Sequence, residues 1–317
     1  MSLILAPIQG MTIAHYRNLY AEYFGGIDTY YAPFIATRES SKISASLFKD
    51  LLPEFNNTNL NVIPQLIGNN SSDFRSFATT LVTMGYKEIN WNIGCPYPMI
   101  TKKKKGSGIL PYPDMIKSFL DDICIDNNYA LTVKMRLGLN LLDEGIAAIR
   151  ILNDYPLNGV IIHGRVGTQK YEGTVNLDSF ELLNDLSKHE VIYNGDIFTL
   201  ADYTKIAARF PAINKFMLGR GALRDPFLPS AIKGNPVPTH LKISKMKAFH
   251  DAVYAHYKSI LSGDRHLIDR MKEFWVYNSV HIDPVGKYTR EIKKCHTHAA
   301  YEQIVSQMLD SSNTWKE

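Results

Sequence analysis

The chain has 317 residues, of which 45% are hydrophobic and 21% are charged, a composition that is ordinary for a globular protein and excludes a disordered or fibrous one. The three cysteines, Cys95, Cys124 and Cys295, are widely spaced and form no Cys-x-x-Cys pair, which argues against a disulfide framework or a metal site. The net charge of +4 does not by itself identify a nucleic-acid partner, although 12 lysines and arginines face only 9 acidic residues after Asn235.

Nothing in the sequence predicts a membrane protein. No stretch approaches the roughly 20 apolar residues that a membrane-spanning helix needs. The first residues, Met1 to Pro7, lack the basic start and the long apolar run of a secretory signal peptide. We therefore expect a cytoplasmic protein with no membrane partner.

Short apolar segments alternate with amphipathic segments along the chain as far as Leu228. Strands that alternate with helices predict a parallel sheet, because parallel neighbours need a crossover connection. Eight such units favour a closed α/β barrel, the (β/α)₈ TIM barrel, over an open doubly wound sheet. The predicted strands are residues 3–7, 29–34, 62–66, 88–92, 130–135, 159–163, 191–194 and 215–218.

Most of these strands run directly into polar or glycine-containing segments. In a barrel the carboxyl ends of the strands converge on one face, called the barrel mouth below, where active sites lie. A purely structural barrel would not need a polar group at the end of strand after strand, so the pattern predicts an active site. The segments are residues 65–68, 92–96, 134–136, 163–165, 194–196 and 219–221.

The barrel pattern ends at a linker that contains Gly234, Pro236 and Pro238, since two prolines flanking one residue resist a helix. Residues 241–262, 266–281 and 299–309 then have helical periodicity. The sequence therefore predicts two domains: a catalytic barrel over residues 1–235 and a small all-helical domain over residues 236–317.

Glycines follow the last two predicted strands. Asn194-Gly195-Asp196 comes after the seventh strand and Gly219-Arg220-Gly221 after the eighth. Glycine lets backbone N–H groups approach an anion closely, and the loops after strands seven and eight are the usual phosphate site of such barrels. Either segment alone is more typical of a tight turn, but together they favour a phosphorylated cofactor.

Lys134 and Cys95 are the strand-end residues with the clearest chemistry. A lone lysine is usually a surface ion-pair partner, but at a crowded barrel mouth a charged amine needs an anion, which a reduced flavin would supply. A free cysteine is usually a small buried hydrophobe, but at the mouth its thiol, with an ordinary pKa of about 8.5, can donate a proton. His163 and Arg165 end the sixth strand, where a structural role and a functional one both stay open.

An ordered set of motifs resembles the tRNA-dihydrouridine synthase family across nearly the whole chain. Single motifs are weak, whereas the set in this order and without large gaps is specific. The matching segments are Leu5-Ala6-Pro7, Gln65-Leu66-Ile67-Gly68, Asn92-Ile93-Gly94-Cys95-Pro96, Gly106-Ser107-Gly108, Val133-Lys134-Met135-Arg136-Leu137-Gly138, His163-Gly164-Arg165, Asn194-Gly195-Asp196-Ile197 and Leu218-Gly219-Arg220-Gly221-Ala222-Leu223.

The resemblance implies FMN as the cofactor and gives roles to the matching residues. The isoalloxazine ring would be held by Pro7, Ile8, Gln65, Lys134 and His163. The ribityl chain and phosphate would be contacted by Asn194, Gly195, Asp196, Gly219 and Arg220. The uracil would be faced by Asn92, Cys95 and Arg165. The helical tail resembles the family's tRNA-clamping domain, in which Arg270-Met271-Lys272 resembles a basic RNA-contacting patch of a bacterial subgroup, the C type.

The activity that the resemblance implies is reduction of a specific tRNA uridine, in the D-loop, to 5,6-dihydrouridine. Hydride passes from reduced FMN to C6 of the uracil, and Cys95 donates the proton to C5. The uridine has to be extruded from its stack before it reaches the mouth. NADPH would reduce the flavin at the same mouth, because no separate Gly-x-Gly-x-x-Gly unit follows a strand. We expect a monomer without a protein partner.

Three alternatives stay open at this point. A flavin oxidoreductase of a small pyrimidine, resembling a dihydroorotate dehydrogenase, would share the barrel and FMN but would not need a basic helical tail. A non-catalytic RNA-binding barrel would tolerate loss of Cys95 or Lys134, and both are present. Ribosomal RNA is an alternative substrate to tRNA.

The role of the four consecutive lysines from Lys102 to Lys105 is also open: they are either phosphate contacts beside Cys95 or a solvated loop.

Overall fold

The structure is a computed structural model that describes residues 1–39, 44–125, 128–310 and 312–316. The chain divides into two compact units. The barrel unit comprises Met1–Gln9, Asp28–Asp196 and Phe210–Leu218. The helical unit comprises Gly10–Ile27, Ile197–Arg209 and the described residues from Gly219 onward. The functional boundary predicted at residue 236 stays a prediction, and two connections between barrel strands group with the tail.

Among the described residues, the barrel unit contains one sheet of ten parallel strands. They are β1 (Ser2–Leu5), β2 (Thr29–Tyr31), β3 (Ile35–Ala36), β4 (Val62–Ile63), β5 (Gln65–Ile67), β6 (Glu88–Ile93), β7 (Ala130–Arg136), β8 (Gly159–His163), β9 (Val191–Asn194) and β10 (Lys215–Leu218). Their spatial order is β3, β5, β6, β7, β8, β9, β10, β1, β2 and β4.

β4 and β5 are two halves of one barrel strand, interrupted at Pro64, which has no N–H to donate to a ladder. β4 pairs with β2, and β5 pairs with β6, so the two ends of the sheet meet at this strand. This arrangement confirms the predicted TIM barrel, and each of the eight predicted strands is present. The sequence did not predict β3, which is only two residues long.

The helices of the barrel unit connect strands that lie side by side. Two of them have asparagine N-caps: Asn70 Oδ1 accepts from Asp73 N at 2.9 Å, and Asn176 Oδ1 accepts from Ser179 N at 2.9 Å. After α1 (Ala14–Tyr23) of the helical unit, the barrel unit contributes α2 (Ser71–Thr83), α3 (Pro98–Thr101), α4 (Pro113–Ile123), α5 (Leu142–Leu152) and α6 (Leu177–Leu186).

The barrel interior has an apolar half and a polar half. Ile161 of the apolar half pairs in register with Lys134, and Lys134 pairs with Asn92. Because residues paired across parallel strands point to the same face of the sheet, Lys134 and Asn92 also point inward. The polar half therefore lies on β5, β6 and β7. The apolar half is one buried cluster of Ile4, Ala6, Tyr31, Ile63, Ile161, Ile192 and Met217.

The helical unit is built around aromatic side chains. Phe249 packs edge-on against Tyr16 of α1, with ring centroids 5.4 Å apart, and against Phe24 at 4.8 Å. The predicted linker is an irregular segment, and the three predicted tail helices are confirmed. No helix among the described residues is long and apolar enough to cross a membrane. The remaining helices are α7 (Leu200–Arg209), α8 (Arg220–Arg224), α9 (Leu228–Ile232), α10 (Thr239–Ile260), α11 (Asp264–Asn278), α12 (Lys287–Lys294) and α13 (His298–Met308).

Candidate active site

The predicted site residues of the barrel unit, with the exception of Gln65, lie at or near the carboxyl ends of its strands or just beyond them. Asn92 and Lys134 are register partners on β6 and β7, and His163 and Asn194 are register partners on β8 and β9. The fold therefore gathers these four side chains at the barrel mouth. Others follow directly: Pro7 and Ile8 after β1, Cys95 after β6, Arg165 after β8, and Gly195 and Asp196 after β9, with Gln65 opening β5.

Lys134 places an amine inside the mouth. Its Nζ makes no hydrogen bond or ion pair with any residue that the structure describes. Burial lowers the pKa of Lys134 to about 7; Arg136 lowers it further, and Cys95 opposes the shift. An ammonium in such a place is stabilised by an anionic ligand, which would raise its pKa again.

Cys95 is held by hydrogen bonds on both sides of its backbone. Its N–H donates to Asn92 Oδ1 at 2.9 Å, and its carbonyl accepts from both N and Oγ of Ser107, at 3.0 and 3.1 Å. Gly106 has a φ of +57°, and a Cβ there would lie 2.5 Å from the Cys95 carbonyl oxygen, so glycine is required. Burial raises the pKa of the Cys95 thiol, which keeps it protonated at neutral pH.

Arg165 is buried and bound mainly to Asp196. Its Nη1 donates to Asp196 Oδ1 at 2.9 Å, and its Nη2 donates to the other carboxylate oxygen. The remaining bonds go from Nε to the Glu172 carbonyl at 3.1 Å and from Nη2 to the Gly173 carbonyl at 2.6 Å. Both residues were expected to contact ligands, and the structure joins them to each other. Those ligand roles stay predictions. One Nη1–H of Arg165 donates to no described residue and could serve a ligand.

A chain of side-chain hydrogen bonds, called the amide relay below, runs through the polar half of the barrel and is buried as far as Thr132. Its contacts are Asn92 Nδ2 to Gln65 Oε1 at 2.8 Å, Gln65 Nε2 to Asn90 Oδ1 at 2.7 Å, Asn90 Nδ2 to Thr132 Oγ1 at 3.0 Å, and Thr132 Oγ1 to Glu88 Oε1 at 3.1 Å. Gln65 and Asn90 are fully buried. The register creates the relay, because Gln65, Asn90 and Thr132 are partners at one level of three adjacent strands.

Asn194 and Gly195 shape the end of β9. Asn194 Nδ2 donates to the Met217 carbonyl at 2.8 Å, which ties β9 to β10. Gly195 has a φ of +149°, and a Cβ there would meet the Val175 side chain at 2.7 Å. The amide of Asn194 is thus used structurally, and its predicted contact with a ribityl chain stays a prediction.

The helical unit holds the remaining predicted residues. Gly219 precedes α8, and the Arg220 guanidinium lies over the Phe198 ring at 5.4 Å. Arg270 Nη1 donates to Glu273 at 2.6 Å and to the Gly10 carbonyl at 3.1 Å. Lys272 Nζ donates to Asp269 at 3.2 Å. A cavity of about 380 Å³ adjoins Lys272, and its lining residues are Arg265, Ile268, Asp269, Lys272, Cys295 and His296.

Several site residues were not identified from the sequence. Arg136 donates to the Val166 carbonyl at 2.9 Å, lies over the Tyr171 ring at 5.5 Å and acts electrostatically on Lys134 and Cys95. The period of two along a strand was the available signal, since it places Asn90, Thr132 and Arg136 on the same face as the recognised residues. Within the described ranges, no group of three or more His, Cys, Asp or Glu side chains is placed to hold a metal ion.

The family model described as "Dihydrouridine synthase (Dus)" matches residues 4–313. The chain belongs to the dihydrouridine synthase family. This confirms the family resemblance of the motifs and makes the chain a redox enzyme by descent.

Three relatives illustrate the range of similarity. The chain is 29% identical over 246 residues to the tRNA-dihydrouridine(16) synthase of Neisseria meningitidis serogroup B, covering 74% of this chain and 73% of the relative. It is 26% identical to the tRNA-dihydrouridine synthase B of Pasteurella multocida, covering 71% and 67%. It is 26% identical to a probable tRNA-dihydrouridine synthase of Helicobacter pylori, covering 87% and 82%.

Solved structures share the fold at low sequence identity. Histamine dehydrogenase from Rhizobium sp. 4-9 superposes with a TM-score of 0.54 at 11% identity, over 78% of this chain and about half, 49%, of that enzyme. Morphinone reductase superposes with a TM-score of 0.51 at 11% identity, over 74% of this chain and 86% of that one. These likenesses support the barrel architecture of this dihydrouridine synthase.

Proposed function

We propose that this chain reduces a specific uridine of tRNA, in the D-loop, to 5,6-dihydrouridine, with bound FMN as cofactor and NADPH as reductant. The observation that carries the proposal is that the Lys134 amine and the Cys95 thiol lie at the same barrel mouth, at the end of β7 and just after β6. No residue that the structure describes gives the amine an anionic partner, and burial raises the pKa of the thiol. The names of the Neisseria and Pasteurella relatives support tRNA as the substrate.

The residues of the mouth fit a flavin. Reduced flavin carries negative charge along its N1–C2 edge, and Lys134 is a partly buried amine to which no described residue supplies an anionic partner. His163 is a buried polar side chain at the same mouth, and Gln65 lies buried next to Asn92, one level deeper in the barrel. Both are suited to hydrogen-bond a heteroaromatic ring. FMN, when bound, supplies the hydride chemistry that side chains do not provide. Gly219 and Arg220 keep their proposed phosphate role on the family resemblance.

Cys95 is the proposed general acid. Conjugate reduction of uracil adds hydride at C6 and requires a proton at C5, so the second half of the reaction needs a protonated group near the ring. The buried thiol of Cys95 has a raised pKa and is therefore protonated at the pH of the cell. Asn92 and Ser107 hold its backbone by hydrogen bonds to the N–H and the carbonyl, which fixes the position of its Cβ. A positioned acid of this kind contributes about 10²–10⁴-fold to a rate.

Binding of the RNA requires cations that neutralise phosphates and a uridine that leaves its stack. Arg270 and Lys272 of α11 are the proposed contacts of the helical unit. In the barrel unit the lysines from Lys102 to Lys104 are exposed, and their loop is anchored, since Asn69 Nδ2 donates to the carbonyls of Lys103 and Lys104 at 3.0 and 3.2 Å. An anchored loop loses little entropy on binding, which favours phosphate contact.

Mapping dihydrouridine in cells that lack this protein tests the proposal. We expect a single D-loop position of tRNA to change from dihydrouridine to uridine. Restoring the wild-type protein should return the modification, and restoring the Cys95→Ala variant should not. The proposal is wrong if dihydrouridine disappears from ribosomal RNA instead, or if all RNA is unchanged while the purified protein turns over a free pyrimidine.

A further inference from the structure

At the Asn92 end of the amide relay, the direction in which hydrogen bonds are donated is fixed by the backbone. Asn92 Oδ1 accepts hydrogen bonds from the backbone N–H groups of Gly94 and Cys95, at 3.0 and 2.9 Å, which uses both of its lone pairs. The Asn92 amide nitrogen must then face Gln65, and Gln65 must present its oxygen in return. Gln65 therefore has its nitrogen, not its oxygen, directed at Asn90.

The lower end of the relay demands the same direction. Burial raises the pKa of Glu88, while hydrogen bonds from Thr132 and Tyr31 favour its ionised form. The ionised carboxylate is the one acceptor-only group of the relay, and Thr132 donates its hydroxyl hydrogen to Glu88 Oε1 at 3.1 Å. The Thr132 oxygen is then left to accept, which it does from Asn90 Nδ2 at 3.0 Å. Tyr31 Oη adds a second donor to the same Glu88 oxygen at 3.3 Å. The backbone N–H groups at the Asn92 end and the carboxylate at the Glu88 end therefore require the same direction of donation along the relay, from Asn92 towards Gln65 and from Thr132 towards Glu88.

The polarity decides what the relay offers to a ligand. Both lone pairs of Asn92 Oδ1 are used, and no described residue takes the second hydrogen of its Nδ2. A ligand group that meets this amide therefore has to be a hydrogen-bond acceptor. Uracil has a carbonyl oxygen at position 4, whereas cytosine has an amino group there, which would set a donor against a donor.

We propose that Glu88, Thr132 and Asn90 are positioning residues that act through Gln65 to fix the polarity of the Asn92 amide, and that this donor-only amide selects uracil over cytosine. The inference rests on the proposed function, in which Asn92 faces the target base. It adds three residues that do not touch the base and explains the half-buried carboxylate at the opposite end of the relay. The whole chain of contacts lies within the barrel unit.

Reversing the relay is the sharpest test. Asn92→Asp keeps an acceptor for Gly94 and Cys95 but puts a carboxylate oxygen against Gln65 Oε1. Gln65 and Asn90 then have to exchange the positions of their amide oxygen and nitrogen. Thr132 has to donate to Asn90 instead of Glu88, which leaves two acceptor oxygens, Thr132 Oγ1 and Glu88 Oε1, facing each other. Glu88→Gln removes this last conflict, because the new amide can donate to Thr132 in the reversed relay and accept from it in the wild-type one.

The stability arm measures urea unfolding of the single and double variants. We expect Asn92→Asp to lower the folding equilibrium constant by about 10–100-fold, or about 1.4–2.8 kcal/mol, and Glu88→Gln alone to change it less than about threefold. In the double variant Glu88→Gln should recover about tenfold or more, although residues 92 and 88 share no contact. Gln65→Glu should be rescued in the same way, which keeps the test decisive should Asn92→Asp fail to fold.

Asn153→Asp is the matched control. This amide also accepts from a backbone N–H, that of Lys188 at 2.8 Å, and donates to the Leu186 carbonyl at 2.8 Å, but it lies outside the relay. Glu88→Gln should not rescue it. Absence of rescue for both Asn92→Asp and Gln65→Glu, or equal rescue of Asn153→Asp, would overturn the inference.

The recognition arm uses tRNA transcripts with uridine or cytidine at the modified position, bound to the flavin-loaded protein without NADPH so that no reduction occurs. Wild type should bind the uridine transcript more tightly, and the Asn92→Asp, Glu88→Gln double variant should lose about tenfold or more of that ratio. An unchanged ratio would refute selection by the amide. Failure of wild type to bind either transcript would refute the proposed function instead, and would leave the stability arm standing.

Discussion

Arg165, which is buried, and Asp196, which is half-buried, form a bidentate ion pair, with Arg165 Nη1 2.9 Å from Asp196 Oδ1 and Nη2 bonded to the second oxygen. Asp196 has a φ of +38°, in the left-handed region that side chains other than glycine rarely adopt. The ion pair is well placed to stabilise this conformation, because it binds the carboxylate to a guanidinium that is only 1% exposed. The loop after β9 is therefore joined to the end of β8.

Removing one member of this pair should destabilise the protein more than removing both. Arg165→Met removes the guanidinium that binds both oxygens of the Asp196 carboxylate, and we expect a loss of about 3 kcal/mol in the free energy of unfolding. The Arg165→Met, Asp196→Asn double variant should recover at least a third of that loss. Urea denaturation of the four proteins of the cycle measures the coupling. Purely additive losses would show that the pair does not act as a unit.

Lys134 should lower the free energy of unfolding of the flavin-free protein and should strengthen the binding of flavin. Its pKa falls to about 7 in the folded protein, so between about pH 7 and 10.5 the unfolded chain holds a proton that the native state has released. Stability then rises with pH across this window, and the penalty is full below pH 7. Lys134→Met should therefore stabilise the flavin-free protein by roughly 2 kcal/mol at pH 6, and by less at pH 9.

The same variant should bind flavin less tightly, which separates this expectation from a general gain in stability. Urea denaturation at the two pH values and titration with FMN measure the two effects. A Lys134→Met protein that is less stable at pH 6 than wild type would contradict the assignment of an uncompensated buried amine. Unchanged FMN affinity would contradict its proposed role at the flavin.

Cys95 should be needed for the proton transfer and not for the cofactor. Cys95→Ala should retain its flavin and its NADPH oxidation, because the backbone contacts with Asn92 and Ser107 do not involve the thiol. Formation of dihydrouridine should fall about 10²–10⁴-fold, as measured by single-turnover assays on tRNA. Cys124→Ala is the control, since that cysteine follows α4 and has no proposed role. A wild-type rate in Cys95→Ala would make Cys95 structural.

Arg270 and Lys272 should contribute to RNA affinity through phosphate contacts. The Arg270→Ala, Lys272→Ala double variant should bind tRNA more weakly. The steepness of log affinity against log salt should fall by about 2, because two phosphate contacts that release counterions on binding are lost. FMN content should not change. Lys247→Ala with Lys258→Ala on α10 is the matched control, because these lysines also pair with acids, Asp251 and Glu302. Equal effects in both pairs would indicate only a diffuse charge effect.

The sequence predicts the barrel well because strands carry short apolar runs and helices carry amphipathic ones. It also places Asn92, Lys134 and Cys95 at the ends of strands, since polar residues there break those runs, and the structure has them there, while their roles stay predictions. The amide relay could not be predicted, because Asn90 and Thr132 lie inside strands and meet only through a register that the sequence does not fix. The partner of Arg165 is 31 residues away, beyond any local signal.

One anaerobic single-turnover experiment tests the central claim most directly. The protein is loaded with FMN, reduced with one equivalent of NADPH, freed of nucleotide and mixed with tRNA from cells that lack the protein. We expect oxidation of the flavin to match, one for one, the dihydrouridine formed at a single D-loop position, and free uridine to leave the flavin reduced. A protein that binds no flavin, or whose reduced flavin is oxidised by a free pyrimidine and not by tRNA, would contradict the account.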